Sequence, residues 1–120
     1  MPHIIIECSG NIEEKNHLAP ILKEAQELVE KSLSAKVPGF KNRVIVCDTY
    51  SVADGAKDNA FVHMTVKILP GRPREVLDKA AAQLLSFIKK AFHESIKKKK
   101  FYYSIEVAEL SPTYLKDGPE

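Results

Sequence analysis

An α+β fold of two successive β-α-β halves, with four strands in one sheet and both helices on one face of it, is what this sequence predicts. Three observations lead there. The chain of 120 residues has the length of one domain; its apolar residues alternate at a period of two and then recur at steps of three and four; and that succession occurs twice in the same order. We therefore expect a single domain over 1–120, with halves at about 2–58 and 59–112 and a tail at 113–120.

The first half opens with Ile4, Ile6 and Cys8 alternating with His3, Ile5 and Glu7, which is a strand pattern. Leu18, Ile21, Leu22, Ala25, Leu28, Val29 and Leu33 then form one apolar stripe on a helix, with Asn11 and Glu14 spaced as a capping box before it. The closing strand is Arg43 to Tyr50, around the run Val44-Ile45-Val46-Cys47. A polar turn region, Ser51 to Asn59, joins the halves. The second half repeats the order. Val62, Met64, Val66 and Ile68 alternate with Phe61, His63, Thr65 and Lys67; Val76, Leu77, Ala80, Leu84, Ile88, Phe92 and Ile96 make one helical stripe; Phe101 to Leu110 closes it. Pro73 stands in that helix's first turn, where the missing N–H costs nothing.

Strands joined through a helix run parallel by a right-handed crossover, so each half supplies one parallel pair. Which strands lie side by side is left open, because a ferredoxin-like domain reads in the same order. The other sheet face would carry Ile5, Phe61 and Tyr102 beside His3, Thr65 and Glu106, too apolar to stay wholly wet, which predicts a homo-oligomer.

Composition narrows the function. A net charge of +2 is too small for a nucleic-acid protein, and Lys97 to Lys100 sits where cations complement a helix C-terminus. No apolar run approaches the ~20 residues of a membrane span, and the N-terminus lacks a basic n-region, so the cytoplasm is the expected location. Cys8 and Cys47 are far apart and lie in strand patterns, as buried thiols do. His3, His17, His63 and His93 share no ligand spacing, His63 reads as a structural hydrogen-bonding group, and no phosphate loop follows a strand. We expect no metal and no cofactor. Asp48, Asp54 and Asp58 read as turn-capping carboxylates rather than a cation site.

The chemistry-bearing candidates are few. Removal of Met1 would leave Pro2 as a secondary amine at the start of a strand, and burial would hold such an amine neutral near pH 7, as a general base requires. A plain strand start is the competing reading. Leu69-Pro70-Gly71-Arg72-Pro73-Arg74 leads into a helix N-terminus, where an arginine adds to an anion site; either Arg72 or Arg74 fits, the other pointing outward. Lys41-Asn42-Arg43 is a third basic step, at the start of a strand.

Pro2-His3-Ile4-Ile5-Ile6-Glu7-Cys8-Ser9, Asp48 to Gly55, and Ala60 to Ile68 followed by Gly71-Arg72 resemble the 5-carboxymethyl-2-hydroxymuconate Δ-isomerase family of the tautomerase superfamily. The resemblance runs from Pro2 to about Pro112. It implies the tautomerase-like fold of macrophage migration inhibitory factor, a homotrimer with active sites near subunit interfaces, and cofactor-independent proton transfer between carbons of an unsaturated di- or tricarboxylate in homoprotocatechuate breakdown. Carried over, Pro2 is the catalytic base, Arg72 the catalytic carboxylate-binding residue, and Arg43 and Lys41 bind substrate. Two departures stand out. Lys41 occupies a position where the family carries arginine, keeping the charge but losing the two-pronged contact. Pro73 replaces the small polar residue usual after Gly-Arg, removing a side-chain cap. A non-catalytic tautomerase-fold or ferredoxin-like binding module is the alternative reading.

Overall fold

Strand β1 (His3–Ser9) is the spine of the structure, a computed structural model that describes residues 1–119. It pairs in parallel with β2 (Lys41–Cys47) on one side and antiparallel with β3 (Asn59–Ile68) on the other. β3 pairs in parallel with β4 (Lys100–Glu109), giving the order β2-β1-β3-β4. Each half thus keeps its two strands adjacent. That removes the ferredoxin-like alternative, in which each β-α-β unit is split.

Helix α1 (Leu18–Ser32) and helix α2 (Arg74–Ala91) cover the same face of this sheet. Ile21, Ala25, Val29 and Leu33 in the first half and Ala80, Leu84, Ile88 and Phe92 in the second all lie buried at a stride of four. A stride of four is one side-chain ridge, and Ala25 and Ala80 lower it where the helices meet the sheet. Beneath them lie Ile4, Ile6, Cys8, Val62, Met64, Val66 and Ile68, each at most 1% exposed. None of the helices is long and apolar enough to cross a membrane, among the described residues.

Four local expectations fail, each for a tertiary reason. Asn11 and Glu14 form no capping box: α1 starts behind a short 3-10 turn at Lys15–His17 and has no side-chain cap. Asn11 Nδ2 donates instead to the carbonyls of Lys57 (3.1 Å) and Asn59 (2.9 Å). Glu14, buried, accepts from the backbone N–H and the hydroxyl of Ser95. The second long helix breaks at Phe92 (φ −108°, ψ 29°), and a short helix α3 (His93–Lys98) follows. The break buries Ser95 where continued periodicity places Ile96 inside, because the Glu14 carboxylate meets the start of α3. The strands are also offset: β2 begins at Lys41 and ends at Cys47, and β3 and β4 begin at Asn59 and Lys100. Cys47, finally, is only half-buried, whereas Cys8 is fully enclosed.

The joint between halves is a built turn. Ala53 and Gly55 both have positive φ, and Asp54 Oδ1 accepts from the Ala56 N–H (3.1 Å) and Asn59 Nδ2 (2.8 Å). Those bonds hold the Asp54 carboxyl below its ordinary pKa. In the basic block, Lys98 reaches Glu94 (3.4 Å) and Glu13 (3.8 Å) at the end of α3. On the open sheet face Ile5 and Phe61 are half-buried, while Ile45 and Tyr102 are 47% and 51% exposed. His63 there bonds Ser104 Oγ (2.7 Å), the structural role its pattern suggested.

Replacing Ser95 with alanine strips two donors' worth of support down to one at a buried carboxylate. We expect Ser95→Ala to cost about 1–3 kcal/mol in urea unfolding; a loss under ~0.5 kcal/mol, the range of an ordinary surface change, would mean that the Glu14 contact is dispensable.

Candidate active site

The antiparallel register of β1 and β3 pairs His3 with Lys67, so the residue before β1 meets the end of β3. Pro2 is buried there, and its carbonyl accepts the Lys41 N–H (3.0 Å), which ties it to β2 as well. A cavity of about 540 Å³ opens at this corner. Its lining comes from four places: Met1 and Pro2; Ser34 to Lys36 with Pro38 and Gly39 after α1; Ile68 at the end of β3 with Arg72 beyond it; and Lys116 and Pro119 from the C-terminal segment.

Two glycines lie at the corner. Gly71 (φ +125°) turns the chain out of β3 in a conformation that residues with a side chain avoid, which swings Arg72 back over the cavity. Gly39 packs under the N-terminus, where an added Cβ would lie 2.9 Å from Met1 Sδ and 3.5 Å from Pro2 Cδ.

Arg72 is half-buried and held from behind. Its Nε donates to the Leu33 carbonyl at the end of α1 (2.7 Å) and Nη1 to the Leu69 carbonyl (3.3 Å). Guanidinium carries five N–H groups, so the remainder stay available to a planar anion. Arg74 is the outward member of the pair, exposed and bonded to Asp78 one turn along α2 (3.1 Å). Lys41 and Arg43 do not line the cavity. Both are exposed on the open sheet face, and Arg43 Nη1 lies 3.1 Å from His3 Nδ1. Lys41 nevertheless acts on the site through its charge.

Electrostatics at the corner all push one way. The amino terminus, here that of Met1, is held below its ordinary pKa of 8.0 by burial first, and then by the charges of Lys116, Arg72 and Lys41. Among the described lining residues there is no carboxylate to offset these cations. The cations disfavour an ammonium at this corner and attract an anionic ligand to it. Lys36, Lys116 and Gly39 were not among the sequence candidates. A Pro-Gly step beside a lysine, at Lys36-Val37-Pro38-Gly39, parallels Pro70-Gly71-Arg72 and was the available signal for the first; Lys116 had none.

A four-stranded sheet of two adjacent β-α-β halves, with both helices on one face and a cavity at the start of β1, defines the tautomerase architecture, that of macrophage migration inhibitory factor. The chain belongs to the 5-carboxymethyl-2-hydroxymuconate isomerase family, whose sequence profile matches residues 2–118, and it is an isomerase. It is 36% identical over 113 residues to the 5-carboxymethyl-2-hydroxymuconate Delta-isomerase of Escherichia coli, covering 94% of this chain and 90% of that one. A crystal structure of a 5-carboxymethyl-2-hydroxymuconate isomerase from Deinococcus radiodurans R1 superposes with a TM-score of 0.87 at 24% identity, covering 98% of this chain and 90% of that one. A fused 4-OT protein described as a symmetric trimer superposes with a TM-score of 0.62 at 21% identity, covering 94% and 91%.

His3 joins the corner to the C-terminal segment. Arg43 can only donate, so His3 Nδ1 accepts from it, and the proton sits on Nε2, which donates to the Tyr114 hydroxyl (2.9 Å). Burial, and then Arg43, Lys41, the amino terminus and Lys67, lower the His3 pKa below 6.5. Between 6.5 and that lower value the unfolded chain binds a proton that the folded chain refuses, so stability falls as pH drops through this window. His3→Gln should flatten that part of a pH series of urea midpoints; an unchanged slope would place the acid sensitivity elsewhere.

Proposed function

We propose that the chain isomerises 5-carboxymethyl-2-hydroxymuconate without a cofactor, with Pro2 as general base once Met1 is removed and Arg72 as the carboxylate-binding, charge-stabilising group. The observation that carries this reading is the N-terminal corner, where buried Pro2 shares a cavity with Arg72 and the Met1 amine ahead of it is held below its ordinary pKa by burial and by the cations that would hold an acid substrate. Family membership supplies the substrate class.

In this mechanism the neutral secondary amine takes the proton of the substrate's dienol hydroxyl. The electron pair moves through the diene as a carbonyl forms, and the pyrrolidinium returns a proton to a distant carbon. Nothing is gained or lost overall. Arg72, already fixed by two backbone carbonyls, meets the charge that develops on the 2-oxygen and its carboxylate without having to reorganise. With Met1 in place Pro2 nitrogen is an amide and has no basicity.

We assign the assembly as a homotrimer closed over the open sheet face, where Ile45, Ile5, Phe61 and Tyr102 lose their contact with water. Lys41 and Arg43 lie on that face, and we assign them to substrate binding where a cavity meets its neighbour. The cytoplasm is the proposed location.

Three measurements test the reading. The intact mass of the active protein should be short by one methionine residue. On 5-carboxymethyl-2-hydroxymuconate, Pro2→Ala should lose about 10²–10⁴ in kcat/KM and Arg72→Gln about 10²–10³; wild-type activity no higher than that of Pro2→Ala would end the proposal. Because the base must be neutral, kcat/KM should rise with pH to a plateau, with a midpoint below 8.0. Arg72→Gln removes a cation that disfavours the ammonium, so any residual activity should show that midpoint moved upward.

A further inference from the structure

The cavity carries more positive charge than the proton transfer uses. Besides Arg72, its lining includes Lys36 and Lys116, and no ion pair involves Lys116 among the described residues. Holding cations together without a counter-charge is unfavourable, and a ligand with several carboxylates relieves it.

Lys116 is brought to the cavity by a folded segment. The Leu110 N–H donates to the Ile68 carbonyl (2.8 Å), extending β4 beside the cavity wall. A turn follows, in which the Tyr114 N–H donates to the Ser111 carbonyl (3.0 Å) and the Thr113 N–H to Ser111 Oγ (3.1 Å). Tyr114 then accepts from His3 Nε2 and stands edge-on to the imidazole, ring centres 5.8 Å apart. The residue beside Pro2 therefore fixes the residue two positions before Lys116. The carboxylate next in the chain, Asp117, accepts the Gly118 N–H (2.8 Å) and makes no ion pair with Lys116 among the described residues.

We propose that Lys116 is a specificity-determining residue whose ammonium binds a substrate carboxylate remote from the one held by Arg72, so that the site selects tricarboxylates over monocarboxylates. The inference rests on the isomerase reading above. Tyr114 is a positioning residue in this scheme, and Lys36, exposed on the cavity wall, adds to the attraction.

Lys116→Gln should raise KM for 5-carboxymethyl-2-hydroxymuconate about tenfold with kcat held within about twofold, the size of one partly screened charge-assisted contact. Turnover of 2-hydroxypenta-2,4-dienoate, a monocarboxylate, should be unaffected. Lys116→Arg should restore most of the affinity, Lys90→Gln on the far end of α2 should change neither substrate, and Tyr114→Phe should raise KM for the tricarboxylate alone, by less. An equal effect of Lys116→Gln on both substrates, or none on either, overturns the assignment. If the wild type turns over neither compound, the isomerase reading is what fails, and Lys116 is then judged by calorimetry with tricarballylate. Binding weakened about tenfold in Lys116→Gln supports it; equal or absent binding overturns it.

Discussion

The antiparallel register between β1 and β3 is the constraint on which the site depends. It sets the start of one half against the end of the other half's first strand, and so brings Pro2, Ile68 and the turn to Arg72 to a single corner. A shift of one residue would turn either Ile4 and Ile6 or Val62 and Met64 from the helices toward the open face. The register is therefore enforced by burial along the whole strand. The corner inherits its geometry from the core rather than from its own contacts.

Charge and burial act on the corner in the same direction. Burial disfavours the ammonium form of the Met1 amino terminus, the nearby cations disfavour it again, and an amine at the buried Pro2 would meet the same two pressures. Those cations are also what an acid ligand would neutralise. Binding of a carboxylate at Arg72 would thus relax part of the electrostatic pressure on the amine and make it a stronger base in the complex than in the free protein. Each unit of such a change is worth about 1.4 kcal/mol, which is large beside the marginal energies of exposed ion pairs.

Periodicity made the two halves legible, because alternation along β1 and β3 and the stride-of-four ridges on α1 and α2 are local consequences of burial. Strand order was not local, and the resemblance in Ala60 to Ile68 with Gly71-Arg72 supplied it. Spacing left Arg72 and Arg74 open and the resemblance at Gly71-Arg72 favoured Arg72; in the structure Arg72 lines the cavity and Arg74 turns outward to Asp78. The misreadings share one cause. Asn11, Glu14 and Ser95 look like local helix-end and helix-surface residues, but each spends its hydrogen bonds on a segment roughly 50 to 80 residues away, as tertiary context overrides local capping. Lys116 was hidden for a related reason: a segment without periodicity gives no hint of where it folds back.

The same long bonds define how the duplicated halves now relate. The Asn11 side-chain N–H groups go to Lys57 and Asn59, and the Glu14 carboxylate takes two bonds from Ser95, so the first half presents groups that the second half completes. Two copies of either half would leave that chemistry unmatched. Cut at the turn between residues 51 and 58, the chain should behave as a pair of complementing fragments that recognise each other and not themselves, an obligate heterodimer in the form of a single polypeptide.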